Sequence, residues 1–275
     1  MPKVRSSSAA PVGVISKVLR VLEAIQSAPA GLGLKAISDL TGIHKSTAHR
    51  FLKHLARENY LISTEDGAYL LGPRFWQMTT HVNHRATLQA VARPMLWELW
   101  RSTQETVNLA VFDQGTVLYA DVIESPHEFR LASRVGTRRP LHATALGKAL
   151  AAFLPEAQRK NVLSTITFQA STPKTIMNLV QFRQELEKVA RQGYAVDDEE
   201  AVAGARCVSA PVLDARGEAV AAVSVSGPTT RISPHQVPGL AEAVTTVARA
   251  ISAGIGFAGP PSKRTRAQKT RPVRQ

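Results

Sequence analysis

The stretch from Thr41 to Ile62, TGIHKSTAHRFLKHLARENYLI, constrains the fold of this chain more than any other. At about 100° per residue, its apolar side chains fall on one arc of a helix: Ala48, Phe51, Leu52 and Leu55. The opposite arc is almost free of acid and carries Lys45, Ser46, His49, Arg50 and Lys53. The sequence therefore predicts a helix over residues 44–57 that buries an apolar side and exposes a basic one.

The segments around this helix complete a small domain. Apolar periodicity over residues 15–25 predicts a first helix with Ser16 as a candidate N-cap, and residues 34–40 predict a second helix. After the basic helix, residues 59–72 have the pattern of a strand, an Asp-Gly turn and a second strand. This order of elements is a winged helix-turn-helix, which we predict over residues 13–72.

A basic helix in this setting suits double-stranded DNA, because an α-helix fits the major groove, where base edges present distinguishable donors and acceptors. The candidate DNA-binding residues are Lys45, Ser46, Thr47, His49, Arg50 and Lys53. Thr47 lies at the edge of the apolar arc, where packing or capping is the alternative. The hairpin tip Glu65-Asp66-Gly67 is acidic and is not expected to hold phosphate strongly. A solvated face on a protein-binding module remains the alternative for the whole helix.

Positive charge is concentrated at the two ends of the chain. Residues 1–85 hold 11 Lys/Arg against 5 Asp/Glu, and residues 260–275 hold 6 basic residues and no acid. Residues 86–259 are nearly neutral, with 17 Lys/Arg against 16 Asp/Glu. This distribution indicates a polyanionic partner for the N-terminal part and another task for the middle, although basic ends can also serve solubility alone. Residues 1–12 and 258–275 are predicted to be disordered tails.

The rest of the chain predicts a linker helix over residues 73–86 and a domain over residues 87–257. Strands are predicted within residues 106–124, 127–136, 194–200, 205–217 and 218–227, with turns at Asp113-Gln114-Gly115 and at Asp214-Ala215-Arg216-Gly217. Helices are predicted over residues 142–154, 179–192 and most of 232–255, and Pro94 is expected to kink or divide the helical region before residue 101. Strands in hairpins with helices around them favour an α+β fold with a mainly antiparallel sheet.

Several classes of protein are disfavoured. A single cysteine, Cys207, excludes an intramolecular disulfide and fits a reducing cytoplasm. The sequence contains no run of about 18 apolar residues, so no membrane span is predicted. Neither a G-x-S-x-G nor an H-E-x-x-H motif occurs, and ATALGKAL lacks the glycine and hydroxyl positions of a phosphate loop. His81 and His84 have helical spacing for a metal, but solvated histidines are the simpler interpretation. We therefore expect no enzyme, no cofactor and no metal.

Three segments resemble the IclR family of bacterial transcriptional regulators. They are ISKVLRVLEAI followed by GLKAISDLTGIHKSTAHRFLKHLARENYL, then LHATALGKALAAFLP, then YAVDDEEAVAGARCVSAPVLDARGEAVAAVSVSGP. The last contains D-x-E-x₄-G-x₂-C, which makes the resemblance specific. It implies an operator-binding winged helix-turn-helix joined by a linker helix to a GAF-like effector-binding domain. It also implies homodimers, often paired into tetramers, and more often a repressor than an activator.

The resemblance also implies the effector-binding residues, which are Ala145, Leu146, Asp197, Cys207, Ser224 and Ser226. Backbone N–H groups at the helix start near Ala145 favour an anionic or carbonyl group, so an organic or aromatic acid is the expected effector. Each residue also has a simpler structural role: a buried core cysteine, a solvated charge run or locally bonded serines. A ligand-independent architectural DNA-binding protein is the alternative function, which the nearly neutral middle segment disfavours.

Overall fold

The computed structural model describes residues 13–79 and 84–256, and the chain forms two compact units, Met1–Asn83 and His84–Gln275. Both predicted disordered tails, residues 1–12 and 258–275, lie outside the described residues. The predicted linker helix over residues 73–86 includes residues 80–83, which also lie outside them, so a continuous helix there stays a prediction.

The first unit contains a three-helix arrangement and a small sheet. Its elements are α1 (Val14–Gln26), β1 (Leu32–Gly33), α2 (Leu34–Thr41), α3 (Lys45–Arg57), β2 (Leu61–Ser63), β3 (Ala68–Leu71) and α4 (Arg74–Thr79). The antiparallel strands lie in the order β1-β3-β2. Gly42, at φ 67°, ends α2 in the left-handed conformation that glycine adopts without strain. The predicted winged helix-turn-helix is confirmed.

The core of the first unit lies between its three longer helices. Val21 of α1, Ile37 of α2, and Ala48 and Leu52 of α3 are fully buried and belong to one cluster. The apolar arc of α3 is therefore the side that packs, as the periodicity predicted. The predicted N-cap of α1 is wrong, since α1 begins at Val14 and Gly13 occupies the N-cap position. Ser16 consequently lies inside the first turn.

The second unit is an α+β fold built on one six-stranded sheet. Its elements are α5 (His84–Thr103), β4 (Thr106–Asp113), β5 (Thr116–Ile123), β6 (Arg138–Arg139), α6 (Ala145–Phe153), α7 (Glu156–Thr165), α8 (Leu179–Gln192), β7 (Ala195–Asp198), β8 (Ala205–Leu213), β9 (Ala219–Pro228) and α9 (Val237–Gly254). The strand order is β6-β5-β4-β9-β8-β7, and every neighbouring pair is antiparallel. The predicted α+β class with an antiparallel sheet is confirmed.

Helices cover both faces of this sheet. On one face, Leu109, Val223 and Val225 pack with residues of α5 and α9. On the other face, Ala110 and Ala222 pack with residues of α6 and α8. Because successive strand residues alternate between faces, the second face turns polar farther along β9, at Ser224 and Ser226. A polar patch thus lies under the start of α6.

One expectation for this unit is wrong, and so is one of the two alternatives given for Pro94. Residues 127–136 form no strand, since Phe129 and Val135 are 74% and 61% exposed and no neighbouring strand covers them. The only strand in that region is β6, after a turn at Gly136. Pro94 does not divide α5, which runs through it. The helix α7 was not predicted, because it buries only Val162 and shows little periodicity. None of the described helices has the length and apolar character needed to cross a membrane.

Candidate functional site

The basic side of α3 is exposed, as the helical pattern predicted. Lys45, Ser46, His49, Arg50 and Lys53 lie at the surface, and Thr47 is half-buried at the boundary. Among the described residues, the three cations of this set have no ion-pair partner, whereas Arg57 pairs with Glu58 at 3.4 Å between Nε and Oε1. Unpaired cations on a helix face are available to neutralise phosphate.

The start of α3 is held by a histidine that sequence reasoning did not single out. His44 is the N-cap, and its Nδ1 lies 2.9 Å from the hydroxyl oxygen of Ser46 and accepts from the Ser46 backbone N–H at 3.4 Å. Ser38 also donates to the carbonyl of Ile43 at 2.7 Å, which ties the turn to α2. Histidine is an unusual N-cap residue, so the sequence carried no clear signal for this role.

The tip of the wing carries negative charge. Asp66 accepts a hydrogen bond from the Thr64 hydroxyl, which lowers the pKa of the Asp66 carboxyl below its ordinary value. Glu65 and Asp66 are both exposed. The carboxylates at this tip would repel phosphate, which agrees with the sequence-based expectation that this tip does not hold phosphate strongly.

A cavity of about 250 Å³ lies in the second unit, between the polar end of the sheet and the start of α6. The six residues predicted for effector binding all line it: Ala145, Leu146, Asp197, Cys207, Ser224 and Ser226. The strand register brings four of them together, because Asp197 pairs with Cys207, and Cys207 with Ser226. The polar and charged lining residues that were not predicted from the sequence are Tyr119, Ser133, Arg139 and Thr144. That the six predicted residues bind an effector stays a prediction.

The start of α6 presents free backbone donors. Thr144 is the N-cap, and its Oγ1 accepts from the Gly147 N–H at 3.0 Å while donating to the Pro140 carbonyl at 2.9 Å. The N–H groups of Ala145 and Leu146 have no hydrogen-bond partner within the described part of the chain. Such donors at a helix N-terminus favour an anion. The prediction that the helix start faces the cavity is therefore supported by its geometry.

Gly147 allows the first turn of α6 to lie directly against the backbone of Leu141, in the turn that precedes the helix. A Cβ placed on Gly147 would lie 2.3 Å from the carbonyl oxygen of Leu141, which is shorter than any van der Waals contact allows. Only glycine therefore fits this position of the first helical turn.

The floor of the cavity is organised by a buried amide. Asn108 of β4 is fully buried, and its Nδ2 donates to the hydroxyl oxygens of Ser224 at 3.1 Å and Ser226 at 3.2 Å. The two hydroxyl oxygens lie 3.5 Å apart, so one can donate to the other while the remaining hydroxyl hydrogen is available to a ligand. The Asn108 Oδ1 atom has no partner. A polar residue at an inward position of a strand was the signal that could have identified it.

Asp197 is the acid of this cavity. It is 2% exposed, and its Oδ1 accepts from the backbone N–H groups of Glu200 at 2.7 Å and Ala201 at 3.2 Å. Burial raises the pKa of Asp197 to about 7, despite the opposing effect of these two hydrogen bonds. A substantial fraction of Asp197 is therefore neutral at physiological pH.

The phenol of Tyr119 and the thiol of Cys207, which also line the cavity, are neutral at physiological pH. Burial raises the pKa of Tyr119 to about 12, and nearby Arg139 opposes that effect. Burial also raises the pKa of the thiol of Cys207, a half-buried residue that lines the cavity. Cys207 is thus a small polarisable wall and not an activated nucleophile. His142, the candidate partner for such a nucleophile, lies within hydrogen-bond distance of the Gln169 carbonyl, at 3.1 Å from Nε2, and does not line the cavity.

A buried ion cluster braces the turn after Asp197. Lys148 of α6 is 1% exposed, and its Nζ lies 2.6 Å from Glu200 Oε1 and 3.5 Å from Glu185 Oε1. Burial raises the pKa of Glu200, while Lys148 opposes that effect. The cluster therefore connects the turn that contains Glu200 to α6. No group of three or more potential metal-ligating side chains occurs among the residues that the structure describes; the predicted metal candidate His81 lies outside them.

Comparison with known proteins supports one family over most of the chain. The model of the IclR helix-turn-helix domain matches residues 14–63, and that of the bacterial transcriptional regulator IclR C-terminal domain matches residues 80–253. The HTH-type transcriptional regulator KdgR of Escherichia coli (strain K12) is 32% identical over 247 residues, covering 90% of this chain and 94% of KdgR. The transcriptional repressor IclR of the same organism is 29% identical, covering 88% and 89%.

The solved structure of an IclR homolog is also similar to the structure of this chain. The IclR homolog from Microbacterium hydrocarbonoxydans, crystallised with 4-hydroxybenzoate, matches with a TM-score of 0.57 at 25% identity, covering 88% of this chain and 99% of that one. Since the two family models together match most of the sequence, the chain belongs to the IclR family of bacterial transcriptional regulators.

Proposed function

We propose that this chain represses transcription by binding an operator through α3 and that an organic or aromatic acid, bound in the cavity of the second unit, controls that binding. The observation that carries the proposal is the convergence of six residues from α6, β7, β8 and β9 on one cavity with free helix-start amides. An architectural protein without a ligand would have no need of such a cavity.

The proposed DNA interface is the basic side of α3. Lys45, Arg50 and Lys53 would contact phosphates or guanine edges, while Ser46, Thr47 and His49 would make neutral contacts. His44 would support them by holding Ser46 in place. Because the helix lies in a winged helix-turn-helix, we place it in the major groove. The acidic wing tip would contribute little to phosphate binding.

The proposed effector site is the cavity. The helix-start amides of Ala145 and Leu146 would receive the acid group, and the free hydroxyl of Ser224 or Ser226 would donate to a second polar group. The ligand in the Microbacterium hydrocarbonoxydans homolog, 4-hydroxybenzoate, supports an acid of this size. Leu146 narrows the space at the helix start and favours a compact ligand.

The regulatory step would be a population shift, in which effector and DNA favour different arrangements of the protein. We further propose a homodimer, possibly assembled into a tetramer, on a palindromic site, since two-fold symmetry of the protein would match that of the operator. We place the protein in the cytoplasm, with no catalytic activity and no cofactor. Repression is favoured because the curated relatives include a repressor.

Two measurements test the two halves of this proposal. Arg50→Ala is expected to weaken binding of a DNA fragment from the upstream intergenic region by about 1–3 kcal/mol in a fluorescence anisotropy titration. Arg57→Ala is the matched control, since Arg57 lies on the same helix but already pairs with Glu58. Equal affinities of wild type and Arg50→Ala would refute the DNA assignment. For the effector, a thermal-shift screen of small carboxylates should reveal a ligand that raises the melting temperature.

A further inference from the structure

Two consecutive arginines in β6 have different surroundings. Arg138 forms an ion pair with Asp113 and donates to the hydroxyl of Thr116 at 2.9 Å and to the Asp113 carbonyl at 3.2 Å. Arg139, whose side chain points to the opposite face of the sheet, is exposed and lines the cavity, and its guanidinium has no ion pair or hydrogen bond within the described residues. The charge of Arg138 is thus neutralised by the fold, and that of Arg139 is not.

Arg139 lies beside the start of α6. Its neighbour Pro140 accepts a hydrogen bond from Thr144, the N-cap of that helix, at 2.9 Å. The guanidinium of Arg139 and the free amides of Ala145 and Leu146 therefore belong to the same end of the cavity. A planar guanidinium and helix-start N–H groups both match the geometry of a carboxylate.

The charges that line the cavity favour an anion. Arg139 is its only base and Asp197 its only acid among the lining residues, and the two form no ion pair. Asp197 instead accepts from two backbone N–H groups near the floor. Because its pKa is raised to about 7, much of its charge is absent at neutral pH, and the cavity carries a net positive charge. The floor of the cavity presents the hydroxyls of Ser224 and Ser226, both of which contact the Asn108 amide.

We infer that Arg139 anchors the carboxylate of the effector, together with the start of α6, and that the effector is a hydroxy acid whose neutral hydroxyl reaches the floor formed by Ser224, Ser226 and Asp197. This inference rests on the proposed function and narrows it to one ligand class and one anchoring residue. A dicarboxylate is disfavoured, because Arg139 is the one cationic side chain among the lining residues and a second buried carboxylate would have no cation to pair with.

The experiment compares acids with their amides on full-length protein. Isothermal titration calorimetry at pH 7.5 uses 4-hydroxybenzoate and other small hydroxy acids, each paired with its primary amide, which keeps the size and removes the charge. Wild type should bind the acid at least about 10-fold more tightly than the amide. Arg139→Gln should lower the affinity for the acid about 10-fold and leave the affinity for the amide unchanged. Arg139→Lys, which keeps the charge, should lower the affinity for the acid by less than Arg139→Gln does.

The control variant is Arg138→Gln, in which the neighbouring residue loses its charge but the cavity keeps Arg139. Its preference for acid over amide should equal that of wild type, and circular dichroism should show both glutamine variants folded. Since a merely structural role for Arg139 would weaken acid and amide alike, the ratio of the two affinities is the diagnostic quantity.

The outcomes separate two failures. If an acid binds but Arg139→Gln leaves the acid-to-amide ratio unchanged, or if dicarboxylates bind more tightly than hydroxy acids, this inference is wrong and the proposed effector site stands. If no acid binds to wild type even at millimolar concentration, the proposed effector site fails as well.

Discussion

Replacing Asp197 with asparagine is expected to stabilise the protein at neutral and alkaline pH. Asp197 is buried, and its pKa rises from an ordinary 3.8 to about 7 in the folded chain. Each tenfold change in proton affinity corresponds to about 1.4 kcal/mol, so ionising Asp197 in the folded state costs about 4 kcal/mol. Asparagine cannot ionise, and its Oδ1 still accepts from the backbone N–H groups of Glu200 and Ala201.

The pH dependence of this effect has a defined sign. Because the folded pKa lies above the unfolded one, protonated Asp197 supports folding fully below about pH 4, and that support is lost as the pH rises through 7. The free energy of unfolding of Asp197→Asn should therefore exceed that of wild type by almost nothing at pH 4. The difference should grow between pH 4 and pH 7 and level off above pH 7 at about 4 kcal/mol.

The assay is urea denaturation at several pH values, followed by tryptophan fluorescence, since Trp97 and Trp100 lie in α5 of the same unit. Asp198→Asn is the matched control: Asp198 is the next residue, but the hydrogen bond from Arg206 lowers its pKa against the effect of burial. That variant should lose stability at neutral pH instead of gaining it. A difference between Asp197→Asn and wild type that does not change between pH 4 and pH 8 would refute this reasoning.

Two further substitutions test the contacts that hold α6 in place, and each is compared with a control substitution by urea denaturation. Lys148→Met leaves Glu200 and Glu185 without their buried partner and should cost about 3–5 kcal/mol. Lys160→Met, which breaks an exposed pair, should change stability by less than about 1 kcal/mol; equal losses would contradict the importance of the buried cluster. Gly147→Ala should cost about 1–3 kcal/mol because of the Leu141 carbonyl. Gly239→Ala in α9 is the control: the added Cβ meets no atom within 4 Å, so this variant should be neutral or more stable than wild type. An unchanged stability of Gly147→Ala would contradict the close contact between Gly147 and Leu141.

The parts of the fold that could be predicted are those with local signals. The arc of Ala48, Phe51 and Leu52 defines the buried side of α3 without any knowledge of its neighbours. Likewise, the turns at residues 113–115 and 214–217 identify two hairpins, because their glycines adopt positive φ at positions 115 and 217. The segment 127–136 shows the limit of such patterns. Phe129, Leu131 and Val135 alternate as in a strand, but no neighbouring strand is there to pair with them.

The parts of the candidate site that could not be predicted depend on contacts between distant segments. Asn108 reaches Ser224 and Ser226 across more than a hundred residues, and only the register of β4 with β9 places them together. Arg139 looks like any exposed arginine until the sheet brings it to the cavity. One signal was available: α6 is apolar all round, which indicates a buried helix, and a lysine in a buried helix requires an acidic partner. Lys148 could therefore have been singled out, although Glu200 could not have been named as its partner.

The most direct test of the account is a double dissociation between the α3 surface and the cavity. Operator affinity and acid binding are measured on the same preparations of wild type, Arg50→Ala and Leu146→Trp, the last of which fills the cavity. We expect the acid to change operator affinity in wild type. Arg50→Ala should bind the operator more weakly, by about 1–3 kcal/mol, and bind the acid as wild type does. Leu146→Trp should bind the operator without responding to the acid. Loss of acid binding in Arg50→Ala, or an unaltered acid response in Leu146→Trp, would contradict the assignment of the two functions to these two sites.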